Sequence, residues 1–96
     1  MTAARVGAIR SRLEVSFNPI ELEIIDDSHL HAGHAGARDG RGHFRVRIVS
    51  NHFARKKTLE RHRMVYAALG SLMQSDIHAL GVVALTPEES SSSKTT

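Results

Sequence analysis

Along the first 17 residues the apolar positions fall at steps of three and four: Val6, Ile9, Leu13 and Phe17, with Arg5, Arg10, Arg12 and Glu14 between them. That spacing gathers the apolar set on one stripe of a helix and predicts α structure from Ala3 to Phe17. Asn18-Pro19 stops it, since the residue before a proline is pushed out of the α region. The period then changes. Ile20, Leu22 and Ile24 alternate with Glu21 and Glu23, and Phe44, Val46 and Ile48 alternate with Arg45 and Arg47, the period-two pattern of strands with one buried face. Paired as a long-looped hairpin, the two strands set two glutamates against two arginines on the outer side, and opposite charges favour that register.

In the second half, Thr58 is the expected N-cap of a helix in which Val65, Leu69 and Leu72 form one row and Tyr66, Leu69 and Met73 its neighbour. Gly70 inside that pattern costs about 1 kcal/mol relative to alanine, which points to a close packing contact. The run IHALGVVAL from Ile77 to Leu85 is short, β-branched and almost wholly apolar, the composition of a strand covered on both faces. Thr86, Pro87 and Glu89 then supply an N-cap, a first-turn proline and a capping-box glutamate, but no apolar residue follows to anchor a helix. The chain therefore divides into one domain over residues 1–89 and a Ser/Thr-rich tail over residues 90–96, expected to be disordered. The element order is αββ, a short helix, αβ and a helical stub, which places the fold in the α/β (α+β) class.

Composition narrows the function classes. The 96 residues are 41% hydrophobic and 24% charged, enough for one small globular core. The net charge of +3 permits nucleic-acid contact without requiring it, and 4% aromatic residues leave little on which bases can stack. No apolar run approaches the ~18 residues of a membrane span, and Met1 to Arg10 lacks a secretory core, so the expected location is the cytoplasm.

The chemistry lies in the histidines, of which there are seven, with no cysteine. Four of them, His29, His31, His34 and His43, fall in or beside the Gly-rich connection between the first two strands, Ser28 to Gly42. Connections that long in compact domains are usually functional, and neutral imidazole is a common ligand for borderline metals. Read as H-x-H-x-x-H, the string from His29 to His34 also occurs in metallo-hydrolases. Here Gly33 stands where such a site needs an acid, and the scaffold is too small to enclose one, so no enzymatic activity is expected. His78 opens the last strand on the parity of Leu80 and Val82 and is expected to be partly buried. His62 reads as a structural residue on its helix and His43 as structural or solvated. The basic cluster from Arg55 to Arg63 is either a solvated helix entrance or a phosphate-contacting surface.

Taken together, Asp27-Ser28 with His31, the segment His43-Phe44-Arg45-Val46 running to Val49-Ser50, Arg61-His62-Arg63-Met64-Val65-Tyr66 with Leu69, and Ile77-His78-Ala79-Leu80 resemble the BolA family over roughly residues 5 to 89. The resemblance implies an αββααβ(α) fold like the type II KH domain, a three-stranded mixed sheet with helices packed on one face. It also implies a monothiol glutaredoxin as partner and a [2Fe-2S] cluster shared with that glutaredoxin and glutathione. A chain without cysteine would take its sulfur ligands from the partner side and contribute imidazole, as histidines replace thiolates on one iron of some clusters. By position the family's ligands match His31 in the loop and His78 on the last strand, with His34 as the reserve loop ligand. Some family members are described as DNA-binding transcriptional regulators, which implies Arg45, Lys56, Lys57 and Arg63 as the contact residues in the alternative role. The chain departs from the family in two places. Serines follow Glu89 where an apolar anchor is usual, and no Gly-x-x-Gly backbone clamp joins the helices, which disfavours RNA binding.

Overall fold

The computed structural model describes residues 2–27 and 42–94, with side chains over residues 4–27 and 42–91. Helix α1 (Thr2–Phe17) leads into strands β1 (Glu21–Asp26) and β2 (Gly42–Val49). A single 3-10 turn (Asn51–Phe53) follows, then α2 (Thr58–Leu69), a short α3 (Leu72–Ser75), β3 (Ile77–Leu85) and α4 (Pro87–Lys94). The sheet order is β1-β2-β3, with β1 antiparallel and β3 parallel to β2. The mixed three-stranded sheet expected from the resemblance is thus present. One core joins it to the helices: Ile9, Leu13 and Phe17 of α1 and Val65 and Leu69 of α2 close over Phe44, Val46 and Ile48 of β2.

Helix α1 ends where the sequence places its end. Asn18 takes a positive φ of 43° and its N–H donates to the Glu14 carbonyl at 3.0 Å, closing the last turn before Pro19. The first strand begins one residue later than the alternation predicts, because Ile20 is 61% exposed while Leu22 and Ile24 pack on the core. The charge pairing across the hairpin is partly as expected. Glu23 lies opposite Arg47, which donates to Glu21 at 2.8 Å, but Arg45 lies opposite Ile25 and pairs with Asp27 rather than with a glutamate.

Four expectations for the second half need correction. Lys57, not Thr58, is the N-cap of α2, and its backbone N–H donates to Glu60 Oε1 at 3.3 Å. Gly70 ends that helix instead of lying within it: its φ of 54° and ψ of −126° suit a residue without Cβ, and the chain restarts as α3. Tyr66 is 40% exposed, outside the core row assigned to it. Finally, β3 is covered on one face only. Ile77 and Ala84 are buried and Leu80 and Val82 pack on the core, while Ala79, Gly81 and Val83 face outward, with Val83 51% exposed. Helices α1 and α2 supply the helical side of the core and pack on the other face, as in a two-layer domain.

The capping box at the last helix forms as read from the sequence. Thr86 N–H donates to Glu89 Oε1 at 2.9 Å and Glu89 N–H to Thr86 Oγ1 at 3.2 Å. The helix runs further than the stub the pattern predicts and takes in Ser90, which is buried and accepts a hydrogen bond from Arg47 Nη2 at 2.9 Å. A polar contact stands where the family's apolar anchor would sit. Arg61 binds both Glu89 carboxylate oxygens, at 2.6 and 3.1 Å, and together with the Thr86 amide it lowers the Glu89 pKa from 4.5 to about 2. Because the folded value lies below the unfolded one, this stabilisation is complete above pH 4.5 and drains away as pH falls toward 2. With the Glu89 side chain 46% exposed, the effect is modest. Glu89→Gln is expected to lower the urea midpoint at neutral pH and to flatten its acid dependence below pH 4.5, measured by circular dichroism at a series of pH values.

A histidine pair where the loop meets the sheet

Strand β3 pairs with β2 in parallel, so the beginnings of both strands meet at one end of the sheet. There Gly42 lies opposite Ile77 and the next pair is His43 with Ala79, which leaves His78 as the extra residue of a β-bulge. The bulge resolves a discrepancy with the sequence pattern. Ile77 turns inward to the core and His78 is exposed, although its sequence parity with Leu80 and Val82 predicts partial burial. Bulges re-aim side chains in this way, and they concentrate beside functional sites.

His43 is inside β2, not before it. Its ring lies 5.0 Å from that of His78, tilted by 52°, and its Nε2 is shielded from solvent. One imidazole is thus half-buried and the other projects beyond it. The backbone around them is well fixed. Gly42 N–H donates to the Asp76 carbonyl at 2.9 Å and Asp27 N–H to the His43 carbonyl at 2.7 Å, so the residues flanking segment 28–41 are both held at this end of the sheet. The Asp27 carboxylate is nearly buried and accepts from Arg45. Asp76, leading into β3, is paired with Arg5 of α1 at 3.4 Å.

Of the three candidate ligands, His78 lies at this end of the sheet, while His31 and His34 lie outside the described residues. The chain entering and leaving that segment is nevertheless anchored within the neighbourhood of His43 and His78. His43 is the residue that the sequence pattern missed as a neighbour of His78. Nothing in a linear reading pairs positions 43 and 78, because their approach depends on the parallel β2–β3 crossover. Among the described residues no group of three or more His, Asp or Glu side chains gathers as a metal site.

The alternative basic site is split. Lys56 and Lys57 lie exposed ahead of α2 and Arg63 is exposed on it, with no ion pair among the described residues. Arg45 projects from the face of the sheet opposite the helices and is engaged by Asp27, so it does not join the other three.

Comparison with known proteins places this arrangement. Residues 13–89 match the family model described as "BolA: BolA-like protein". The chain is 46% identical over 86 residues to SufE-like protein 1, chloroplastic/mitochondrial, of Arabidopsis thaliana, covering 84% of this chain and 23% of that protein. It is 42% identical over 91 residues to Protein BOLA1, chloroplastic, of the same plant, covering 92% of this chain and 57% of that protein. The DNA-binding transcriptional regulator BolA of Escherichia coli is 36% identical over 81 residues, covering 84% of this chain and 74% of that one. The chain thus spans about a quarter to three fifths of the length of the first relatives it matches. The solved BolA domain of SufE1 from Arabidopsis thaliana superposes with a TM-score of 0.78 at 44% identity, covering 88% of this chain and 94% of that chain. No helix among the described residues is long and apolar enough to cross a membrane, and relatives include chloroplastic and mitochondrial forms. With its family motifs, its mixed sheet and its solved counterparts in agreement, the chain belongs to the BolA-like family.

Proposed function

We propose that this chain is a non-enzymatic adaptor that binds a monothiol glutaredoxin and shares with it a glutathione-ligated [2Fe-2S] cluster, in iron-sulfur trafficking or iron regulation in the cytoplasm. The observation that carries the reading is His78, exposed on a bulge beside His43 at the end of the sheet where segment 28–41 departs and returns. His78 supplies one imidazole and the loop a second, from His31 with His34 in reserve. The glutaredoxin and glutathione thiols supply the sulfur that a chain without cysteine lacks. When bound, the cluster provides iron and sulfide for transfer or for signalling iron status. This chain's part is to hold imidazole nitrogens at fixed positions, and the packed His43 ring restricts how the His78 ring can turn. The name SufE-like on a relative that includes a BolA domain is consistent with iron-sulfur work. The test is to combine the protein with a monothiol glutaredoxin, glutathione, ferric iron and sulfide. A coloured one-to-one heterodimer is the expected product, and colourless mixtures in which the two proteins elute separately would refute the proposal.

A second reading has its own observation. Lys56, Lys57 and Arg63 form an exposed basic entrance to α2, and one relative is named a DNA-binding transcriptional regulator. Binding through phosphates must weaken with salt by roughly one log-log unit for each phosphate contacted. With three lysine and arginine side chains available, the expected slope is about −3. Affinity for duplex DNA measured by fluorescence anisotropy across a salt series checks it, and salt-insensitive binding or no binding at low salt removes this reading.

A further inference from the structure

We propose that the free edge of β3, with the face of α2 that flanks it, binds an extended acidic segment of another protein by adding it to the sheet as a fourth strand. This is separate from the cluster site. His78 opens β3, whereas the groove begins at Val82, about 13 Å further along the strand.

β3 is an outer strand, since the sheet order leaves only β2 beside it. Its nine residues include no charge and no proline, the devices by which exposed strands are usually defended against pairing. The Leu85 carbonyl accepts from Ser50 N–H at 2.9 Å and so points toward β2. By the alternation of a strand, the backbone groups of Leu80, Val82 and Ala84 point the other way. The Ala84 carbonyl is taken by Arg61 Nη1 at 2.9 Å. Those of Leu80 and Val82 face outward beyond the sheet, and the partner that satisfies such a row is another extended backbone.

The side chains around this edge state what that backbone carries. A groove of about 380 Å³ runs between β3 and the start of α2, lined by Thr58, Arg61, His62, Val82, Val83 and Glu89. Arg61 Nε also donates to the Lys56 carbonyl at 2.9 Å, which brings the Lys56-Lys57 pair to the mouth of the groove. Glu89 neutralises Arg61, but the two lysines have no ion pair among the described residues. A strand added here would alternate its side chains, one set toward α2 and its cations, the other beside the exposed Val83 on the open face. Alternating acidic and apolar residues satisfy both. A second copy of this chain would bring its own Arg61, Lys56 and Lys57 against these, so charge disfavours self-pairing and favours an acidic partner.

The probe is a capped octapeptide of alternating valine and glutamate, with the valine-lysine octapeptide as control, added to the uniformly nitrogen-15-labelled full chain. The expected result is slowed hydrogen exchange at the Leu80 and Val82 amides with the acidic peptide alone. Val82→Pro removes one edge donor at a position where an outer strand tolerates proline, and should weaken binding at least tenfold with an unchanged circular dichroism spectrum. His62→Glu leaves the edge intact and should weaken binding several-fold by charge alone. Equal binding of the lysine peptide, unchanged Leu80 and Val82 exchange, or full affinity in His62→Glu would overturn the proposal. So would protection of the same amides in peptide-free protein of doubled mass, which would assign the edge to a second copy.

Discussion

His78→Ala is expected to abolish the visible absorption and circular dichroism of the reconstituted glutaredoxin complex while leaving the fold intact. The fold survives because the His78 side chain is exposed on the bulge and contributes nothing to the core that Ile77 and Ala84 help to build. The cluster does not survive, because the lost imidazole is the one whose backbone is fixed by the sheet. No other described histidine projects from that point, and His43, its neighbour, has its Nε2 shielded. His31→Ala should weaken the cluster less, since His29 and His34 lie within the same segment and one of them can take its place at the entropic cost of rearranging the loop. His43→Ala should fall between the two, broadening the spectrum rather than erasing it, as expected of a residue that positions the ligand ring. All three variants should still bind apo-glutaredoxin. A wild-type spectrum from His78→Ala would remove that residue from the ligand set and leave its contact with His43 as a purely structural one.

The contrast between His78 and His43 shows where a linear reading of this chain stops. Elements set by local pattern were legible: the α1 stripe and its end at Asn18, the alternation of β1 and β2, the antiparallel hairpin, and the Thr86–Glu89 capping box are all present. Features that depend on long-range pairing were not. The parallel crossover that brings residues 43 and 78 together has no local signature, and the bulge that turns His78 outward inverts the parity on which its expected burial rested. Gly70 misled for a related reason, since a glycine two residues before the apolar pair Leu72-Met73 reads equally as a flaw inside one helix or as the break between two. Its positive φ decides for the break. The same limit applies to Arg45, which shares a charge with Lys56 and Lys57 in sequence but is carried to the opposite face of the sheet by strand alternation and held there by Asp27.

Phe53→Ala is expected to produce the largest loss of stability of any single core truncation. Phe53 lies in the 3-10 turn between β2 and α2, is 0% exposed, and packs its ring 4.9 Å from that of Phe17 at the end of α1. The same junction is tied by buried Ser50, whose hydroxyl donates to the Phe17 carbonyl at 2.7 Å and accepts from His52 N–H at 3.1 Å. Three elements therefore meet on one side chain, and the cavity left by alanine cannot collapse without breaking those hydrogen bonds. Phe→Ala truncations in cores cost about 3–5 kcal/mol, against a total of about 5–15 kcal/mol for a domain, so a large share of the stability of a 96-residue chain is at stake. At roughly 4–8 °C per kcal/mol for domains of this size, the thermal midpoint should fall by about 12–40 °C. Tyr66→Ala is the matched control: it removes a ring of similar size from a position 40% exposed on α2 and should cost about 1 kcal/mol or less. Thermal and urea unfolding followed by circular dichroism measure both, and a Phe53→Ala midpoint as close to wild type as that of Tyr66→Ala would mean that the β2–α2 turn is not seated in the core.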